Sequence, residues 1–339
     1  MAMLFCVYSS FLHPSVHPNL SYFGLAFPVF LLMNVCFLIF WIVVKWKYAL
    51  LPVLGMLFCV RSIYSYSPLN VEKPIPEGSI TVMSYNVMNF GGEPMARINY
   101  IDNAIVRYIL ESKADIVCLQ EASVVRSDEL KRVVSEKYPY IMQGSEDGCH
   151  YNACLSRYPL LGAENVGLVS ETNRSYAYKV LIGEDTLLVV NNHLESYRLH
   201  AEDVNNYKNI VKHPKEKGTF GKYLSLVGKL ASTNAVRGRQ TDRLIDYVDS
   251  VNSKYLIMCG DFNDSPISYT HRRLRNAYKD AYAESGCGPG ISFHVNGMFF
   301  RIDHMFVNDN IETYQTKVDN SINESDHYPI ISHLFLKEK

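Results

Sequence analysis

Residues 255–264 read YLIMCGDFND. Tyr255–Cys259 is a short apolar run closed by a glycine, and Asp261, Asn263 and Asp264 follow at once. Runs of aromatic and aliphatic side chains bounded by turn residues are strand-like. Surface acids are usually scattered among lysines, whereas here acids and an amide sit on a strand end. Strand ends in α/β sheets commonly form the crevice that holds a ligand.

The same arrangement recurs on both sides of this stretch. Ile80–Val87 ends in Ser84-Tyr85-Asn86-Val87, and Asp115–Leu119 runs into Gln120-Glu121. Thr186–Asn191 runs into Asn191-Asn192-His193-Leu194-Glu195. Arg301–Val307 begins Arg301-Ile302-Asp303-His304, and Ser325-Asp326-His327-Tyr328-Pro329 leads into Ile330–Leu336. Between these runs, Ile98, Ile101, Ile105 and Ile109 repeat at helical spacing, as do Leu244, Ile245, Val248 and Val251. The alternation argues for an α/β domain with sheet inside and helices outside. Residues 200–236 are polar and lysine-bearing, and read as an insertion or a long helical excursion. Residues 67–79, SPLNVEKPIPEGS, have linker composition.

The residue types fit one kind of chemistry. Asp and Glu oxygens with an Asn carbonyl suit a hard cation, Mg²⁺ or Mn²⁺. A histidine beside an aspartate can act as general base, with a second carboxylate fixing its tautomer. A further histidine and asparagine can donate to charge developing on phosphorus. None of the eight cysteines forms a CxxC pair, so a zinc ribbon has no support. Cys149 and Cys154 could pair in an oxidising compartment, buried free thiols being the blander reading. No GxSxG elbow or P-loop is present, which disfavours serine hydrolases and nucleotide-driven enzymes.

Taken in order, SYNV, LQE, NxHL, GDFN, RIDH and SDHYP resemble the endonuclease/exonuclease/phosphatase superfamily, from about Ile80 to Leu336. The resemblance implies a two-sheet β-sandwich flanked by helices, a four-layer α/β sandwich, over residues 80–339. It implies divalent-metal-dependent hydrolysis of phosphate esters. Glu121 and Asn86 then look like metal ligands, with Asp326 as a further carboxylate. His327, oriented by Asp303, resembles the base that activates water, and Asp261 is the alternative base. His193, with Asn191 and Asn263, looks like the set that binds phosphate. Asp261 and Asn263 look like the pair that positions the nucleophile. The implied substrate is a phosphodiester, in DNA or a lipid headgroup. A small phosphomonoester stays open, and a catalytically silent binding module would be expected to have broken motifs. His304, Tyr85 and Tyr328 read as packing residues. Arg237 and Arg239 could reach phosphate or start a solvated helix at Gln240. Lysines 208, 212, 215, 217 and 222 read as a solvated face that could meet headgroups or substrate.

Residues 1–71 contain three charges, Lys45, Lys47 and Arg61. With those removed from the 33 bases, residues 72–339 carry 30 Lys and Arg against 34 Asp and Glu, about −4 formally. That balance disfavours binding nucleic acid through bulk charge. Residues 23–44 are long and apolar enough to span a bilayer, and residues 48–66 make a second, weaker span interrupted by Arg61. Residues 1–12 could be the end of an earlier span. Residues 1–66 are thus expected to form an all-α transmembrane hairpin. Lys45 and Lys47 in its turn are expected on the cytoplasmic side. The chain then reads as an integral protein of a bacterial cytoplasmic-type membrane, its soluble domain outside the cytoplasm. Its expected partners are the lipid bilayer and the phosphodiester; no obligate protein partner is inferred.

Overall fold

The structure, a computed structural model, describes residues 1–92, 98–122, 128–144, 152–170, 173–198, 219–295 and 297–337. Cys149 and lysines 208, 212, 215 and 217 lie outside the described residues, as does the side chain of Lys222. The other seven cysteines are free thiols.

The chain forms two compact units. The larger comprises Ser67–Leu194, Asp242–Asp264 and Leu274–Lys339. Its strands are β1 (Ile80–Asn86), β2 (Ile116–Gln120), β3 (Tyr140–Gly144), β4 (Asn152–Ser156), β5 (Leu160–Asn165), β6 (Ser175–Ile182) and β7 (Asp185–His193). They continue as β8 (Tyr255–Asp261), β9 (Lys279–Asp280), β10 (Phe293–Val295), β11 (Met298–Phe300), β12 (Asp303–Val307), β13 (Ile311–Val318) and β14 (Ile330–Leu336). One six-stranded sheet runs β13-β14-β1-β2-β4-β3 and the other β5-β6-β7-β8-β12-β9. β10 and β11 form a separate hairpin. Both sheets are mixed: β1 runs parallel to β2 and β7 parallel to β8.

The layers follow from side-chain alternation. Ile80, Val82, Ile116 and Cys118 from the first sheet share one buried cluster with Leu187, Val189, Tyr255 and Ile257 from the second. The intervening residues face outward. Met83, Tyr85, Val117 and Leu119 pack on Ile105, Val106 and Ile109 of the helix Ala104–Glu111. Leu188, Val190, Leu256 and Met258 pack on Leu244, Ile245 and Val248. The result is helix, sheet, sheet, helix, the four-layer sandwich. The helix Ala104–Glu111 begins later than the isoleucine spacing suggests. Asn103 caps it by accepting from Val106 N at 3.1 Å, so Ile98 and Ile101 precede it.

The smaller unit comprises Met1–Tyr66, Glu195–Thr241 and Ser265–Arg273. The division therefore differs from a simple anchor followed by a catalytic domain, because two later segments group with the N-terminal helices. Met3, Cys6, Phe27, Cys59 and Ile267 form its core. Ser21 Oγ accepts from Asn234 Nδ2 at 2.9 Å, and the Arg272 guanidinium lies 3.4 Å from the centre of the Phe11 ring. Phe23–Phe58 is long and apolar enough to cross a membrane and is almost wholly unburied. It is not one straight rod. Lys45 has non-helical backbone angles, and a Cβ on Gly55 would lie 3.2 Å from Asn34 Nδ2. Twenty-one residues of continuous helix would separate those positions by about 30 Å. The helices Phe27–Lys45 and Leu50–Phe58 therefore fold back as a hairpin. The helix Thr219–Val251 begins inside the polar excursion, well before Gln240, and runs on past its end.

Candidate active site

At one end of the sandwich the inward-facing positions change from apolar to polar without changing face. On β1, Ile80 and Val82 are followed at the same period by Ser84 and Asn86, and on β2 Ile116 and Cys118 are followed by Gln120. On β7, Leu187 and Val189 are followed by Asn191 and His193, and on β8 Cys259 is followed by Asp261. Register places His193 and Asp303 on either side of Asp261. Gly260 makes this row possible. Its φ is +136°, and a Cβ there would stand 2.0 Å from Asn192 O. Glu121 breaks the alternation. It takes a left-handed φ of +53°, and its carbonyl accepts from Asn89 N at 2.9 Å. Such a backbone costs about 1–2 kcal/mol for a non-glycine residue, so its surroundings must impose it.

The side chains converge. Asn86 Nδ2 donates to Glu121 Oε1 and to Asp261 Oδ2, each at 3.1 Å. His193 Nε2 lies 3.8 Å from Glu121 Oε1 and 3.7 Å from Asp261 Oδ2. His327 Nδ1 bonds Asp303 Oδ2 at 2.7 Å, which turns Nε2 toward Asp261 Oδ2 at 3.6 Å. Asn263 N donates to Asp261 Oδ1 at 2.8 Å and Asn263 Nδ2 to Leu194 O at 3.0 Å. Ser325 Oγ donates to Asn86 O at 2.7 Å, tying the SDHYP segment to β1.

Burial and mutual charge set the proton balance. Burial pushes the Asp261 carboxyl up to about 6, against the opposing charges of His327 and His193. Burial would lower His327, but Asp303 and Asp261 reverse it by charge and hydrogen bonding and hold it up at about 10. Burial also raises Glu121, while Asn86 and His327 oppose the shift and Asp326 adds to it.

A model of the endonuclease/exonuclease/phosphatase family matches residues 83–327. The chain belongs to that family. A second family model, a domain of unknown function, matches residues 1–66. No curated protein matches the chain. Among solved structures, the human Nocturnin catalytic domain with bound sulfate is similar at 16% identity and a TM-score of 0.53, over 76% of this chain and 94% of that one. An endonuclease/exonuclease/phosphatase from Beutenbergia cavernae is similar at 16% identity and 0.54, over 76% and 72%. ANGEL2, a 2',3'-cyclic phosphatase, is similar at 14% and 0.55, over 79% and 100%. At these identities the likeness shows the fold.

The family's use of divalent cations can be tested against the residues present. Glu121, Asp261, Asp303 and Asp326 supply hard oxygen donors, and their charges outnumber the two imidazoles beside them. Asp303 Oδ1 is buried and without a hydrogen-bond partner. Ligand atoms of Asp261, Asp303 and His327 all lie within 4.8 Å of one another. The set fits a divalent cation. His327 Nδ1 is already committed to Asp303, so Glu121, partly exposed, is the more open ligand. Asp326 makes a 3.4 Å contact with Ser325 Oγ, and its charge reaches both Glu121 and His327.

Three expectations change. Asn86 meets Glu121 through its amide nitrogen, while its Oδ1 accepts from Met88 N at 3.2 Å. It is a donor here, and its carbonyl would face a cation only with the amide turned over. Asn191 shares the face of His193 but lies deeper, and its side chain is used up between the sheets. It is not placed to meet phosphate. Arg237 is wholly buried, donating to Glu195 O at 2.9 Å and lying on the Tyr197 ring, so it does not reach out to substrate. His304 is a core residue, its Nε2 at 2.8 Å from Asp264 O, and Tyr328 stacks on His294. Two contributors were not evident in the sequence. Phe293 packs on the His327 ring at 5.1 Å, and Ser292 Oγ accepts from Ile302 N and Asp303 N. Gln120 could have been found, since it sits inside LQE.

Proposed function

We propose that this chain is a divalent-metal-dependent phosphodiesterase anchored in a membrane by its N-terminal hairpin, with lipid headgroup diesters as its first-ranked substrates. The observation that carries the reaction class is the row His193, Asp261, Asp303 with His327 bridging the two aspartates. A bound Mg²⁺ or Mn²⁺ would polarise a phosphoryl oxygen and offset charge on the leaving oxygen. Glu121 and neighbouring carboxylates would hold it. The charges of Asp303 and Asp261 hold His327 toward its protonated form, and His327 and His193 in turn favour ionised Asp261. Asp261 is then the group able to take a proton from an attacking water. His327, held by Asp303, and His193 are the groups able to donate to phosphoryl oxygens. Asn263 fixes Asp261 through its backbone N–H. The apolar hairpin supports a lipid substrate, and the slight excess of acids in residues 72–339 argues against a long polyanion.

The test is a panel of sphingomyelin, phosphatidylinositol phosphates, duplex DNA, bis-(p-nitrophenyl) phosphate and p-nitrophenyl phosphate, each with Mg²⁺ or Mn²⁺. Hydrolysis of the generic diester and of a lipid, but not DNA, is expected. Cleavage of DNA alone would replace lipid with a nuclease reading. Release of phosphate from p-nitrophenyl phosphate with the diester untouched would overturn the diester reading.

A further inference from the structure

The catalytic cluster draws on both sheets. Asn86 and Glu121 come from β1 and the end of β2, while His193 and Asp261 come from β7 and β8. Most of what lies between the sheets is apolar contact, which is non-directional and sets no register by itself. A shift of one sheet across the other would change the distance from Glu121 to His193 without opening the core.

Beside the Asn86–Asp261 bond of the cluster itself and a hydrogen bond from Tyr178 OH to Asn152 O at 3.0 Å, one buried amide network ties the two sheets directionally. Asn191 on β7 sends Nδ2 to Leu119 O at 2.9 Å and to Ala153 O at 3.1 Å, so it grips β2 and β4. Its Oδ1 accepts from Gln120 Nε2 at 2.6 Å, and Gln120 Nε2 also reaches Ser84 Oγ at 3.1 Å on β1. Asn152 Nδ2 on β4 donates back to Asn191 O at 3.0 Å. Every one of these side chains is buried. Buried amides bonded this way tolerate little misalignment, because a broken bond leaves an unsatisfied polar group. Gln120 immediately precedes Glu121, and Asn191 stands two residues before His193 on the same face.

We propose that Gln120 and Asn191 are positioning residues, a cross-sheet clamp that fixes the register between Glu121 and His193. The clamp rests on the reading of that cluster as the catalytic centre. It acts through the strands and touches no substrate. Glu121's left-handed backbone makes the need sharper, since a strained turn on the end of β2 holds its place only if the strand beneath it is fixed.

The test uses the full chain in detergent micelles, with bis-(p-nitrophenyl) phosphate as substrate and Mn²⁺ binding followed by calorimetry. Asn191→Leu keeps the branched shape, Gln120→Met keeps nearly the length and volume, and both remove the amides. Each is expected to lower kcat roughly tenfold or more and weaken Mn²⁺ binding, with KM within about twofold. Thr316→Val is the control, because Thr316 shares a 2.7 Å hydrogen bond with Ser332 between β13 and β14. It is expected to lower Tm comparably and leave kcat and Mn²⁺ binding unchanged. If Asn191→Leu fails to fold, Gln120→Met decides, since Asn191 keeps its two bonds to β2 and β4. Clamp variants with wild-type kcat and Mn²⁺ affinity, or a control with the same kcat loss, overturn the proposal. If the wild type neither cleaves the diester nor binds Mn²⁺, the functional reading fails. A crystal structure of Gln120→Met then judges the clamp: a separation from Glu121 Oε1 to His193 Nε2 unchanged from 3.8 Å rejects it.

Discussion

In the helix Phe27–Lys45 only Phe27 is buried among nineteen residues, whereas all seven residues of β1 are buried. Leu32, Ile39 and Val43 in the helix are 65%, 59% and 79% exposed, while Ser84, Asn86 and Asp261 in the sandwich are at most 1% exposed. One region turns apolar side chains outward, and the other buries amides and carboxylates. Each is costly in water by ordinary rules. The proposed function gives each a partner: a hydrocarbon solvent for the helices, and a cation and phosphate for the carboxylates.

The largest effect should come from removing a partner in the sandwich. Glu121→Gln and His327→Ala are each expected to cut kcat by about a thousandfold or more, with Tm within a few degrees. Activity within about tenfold of wild type in either variant would break the catalytic half of the comparison. Chelation with EDTA should abolish turnover, and Mg²⁺ or Mn²⁺ should restore it. Turnover that survives exhaustive chelation would count against the cation.

The hairpin is tested by charge. Leu32→Arg or Ile39→Arg on an exposed helix surface in water would change stability by no more than about 0.5 kcal/mol. At the middle of a bilayer span each costs about 2.5–3.5 kcal/mol. Loss of carbonate-resistant membrane fractionation is expected in both variants. Unchanged fractionation would return the hairpin to water.

The pH profile sharpens the sandwich half. Asp261 must be ionised to accept a proton, and its carboxyl is raised, so kcat/KM should rise about tenfold per pH unit up to about 6. His327 must be protonated to donate, so activity should fall above about 10. A cation among the carboxylates favours their ionised forms, so more Mg²⁺ should move the acid limb to lower pH. An acid limb that stays fixed or rises would contradict the shared site. The smallest effect is expected from Asn103→Ala. Loss of this cap costs about 1 kcal/mol and should lower Tm with kcat within about twofold.

Much of the sandwich was legible because its central strands are apolar runs that finish in polar residues. Ile80–Val87, Tyr255–Cys259 and Ile330–Leu336 lie on β1, β8 and β14 almost residue for residue. The outer strands were not. β5 is largely exposed, β13 carries Glu312 and Lys317 with a register shift, and β10 and β11 have three residues each. Such segments look like loops because only a neighbour makes them strands. At the site, alternation gave the face on which Asn191 lies but not its depth. Two residues along β7 separate His193, which joins the polar cluster, from Asn191, which meets the opposite sheet. Arg237 is illegible for a related reason: the helical spacing is clear only from Gln240, whereas the helix starts at Thr219 and the guanidinium lies inside.

The grouping of Glu195–Thr241 and Ser265–Arg273 with residues 1–66 bears on how the enzyme can be handled. Those segments follow His193-Leu194 and Asp261–Asp264 directly in the chain. A soluble fragment beginning at Ser67 would strip Ile267 of Met3, Cys6, Phe27 and Cys59, and Asn234 of Ser21. The segments that follow β7 and β8 would then expose Ile267 and the Asn234 amide. Purifying the chain without residues 1–66 and without detergent should therefore yield aggregation.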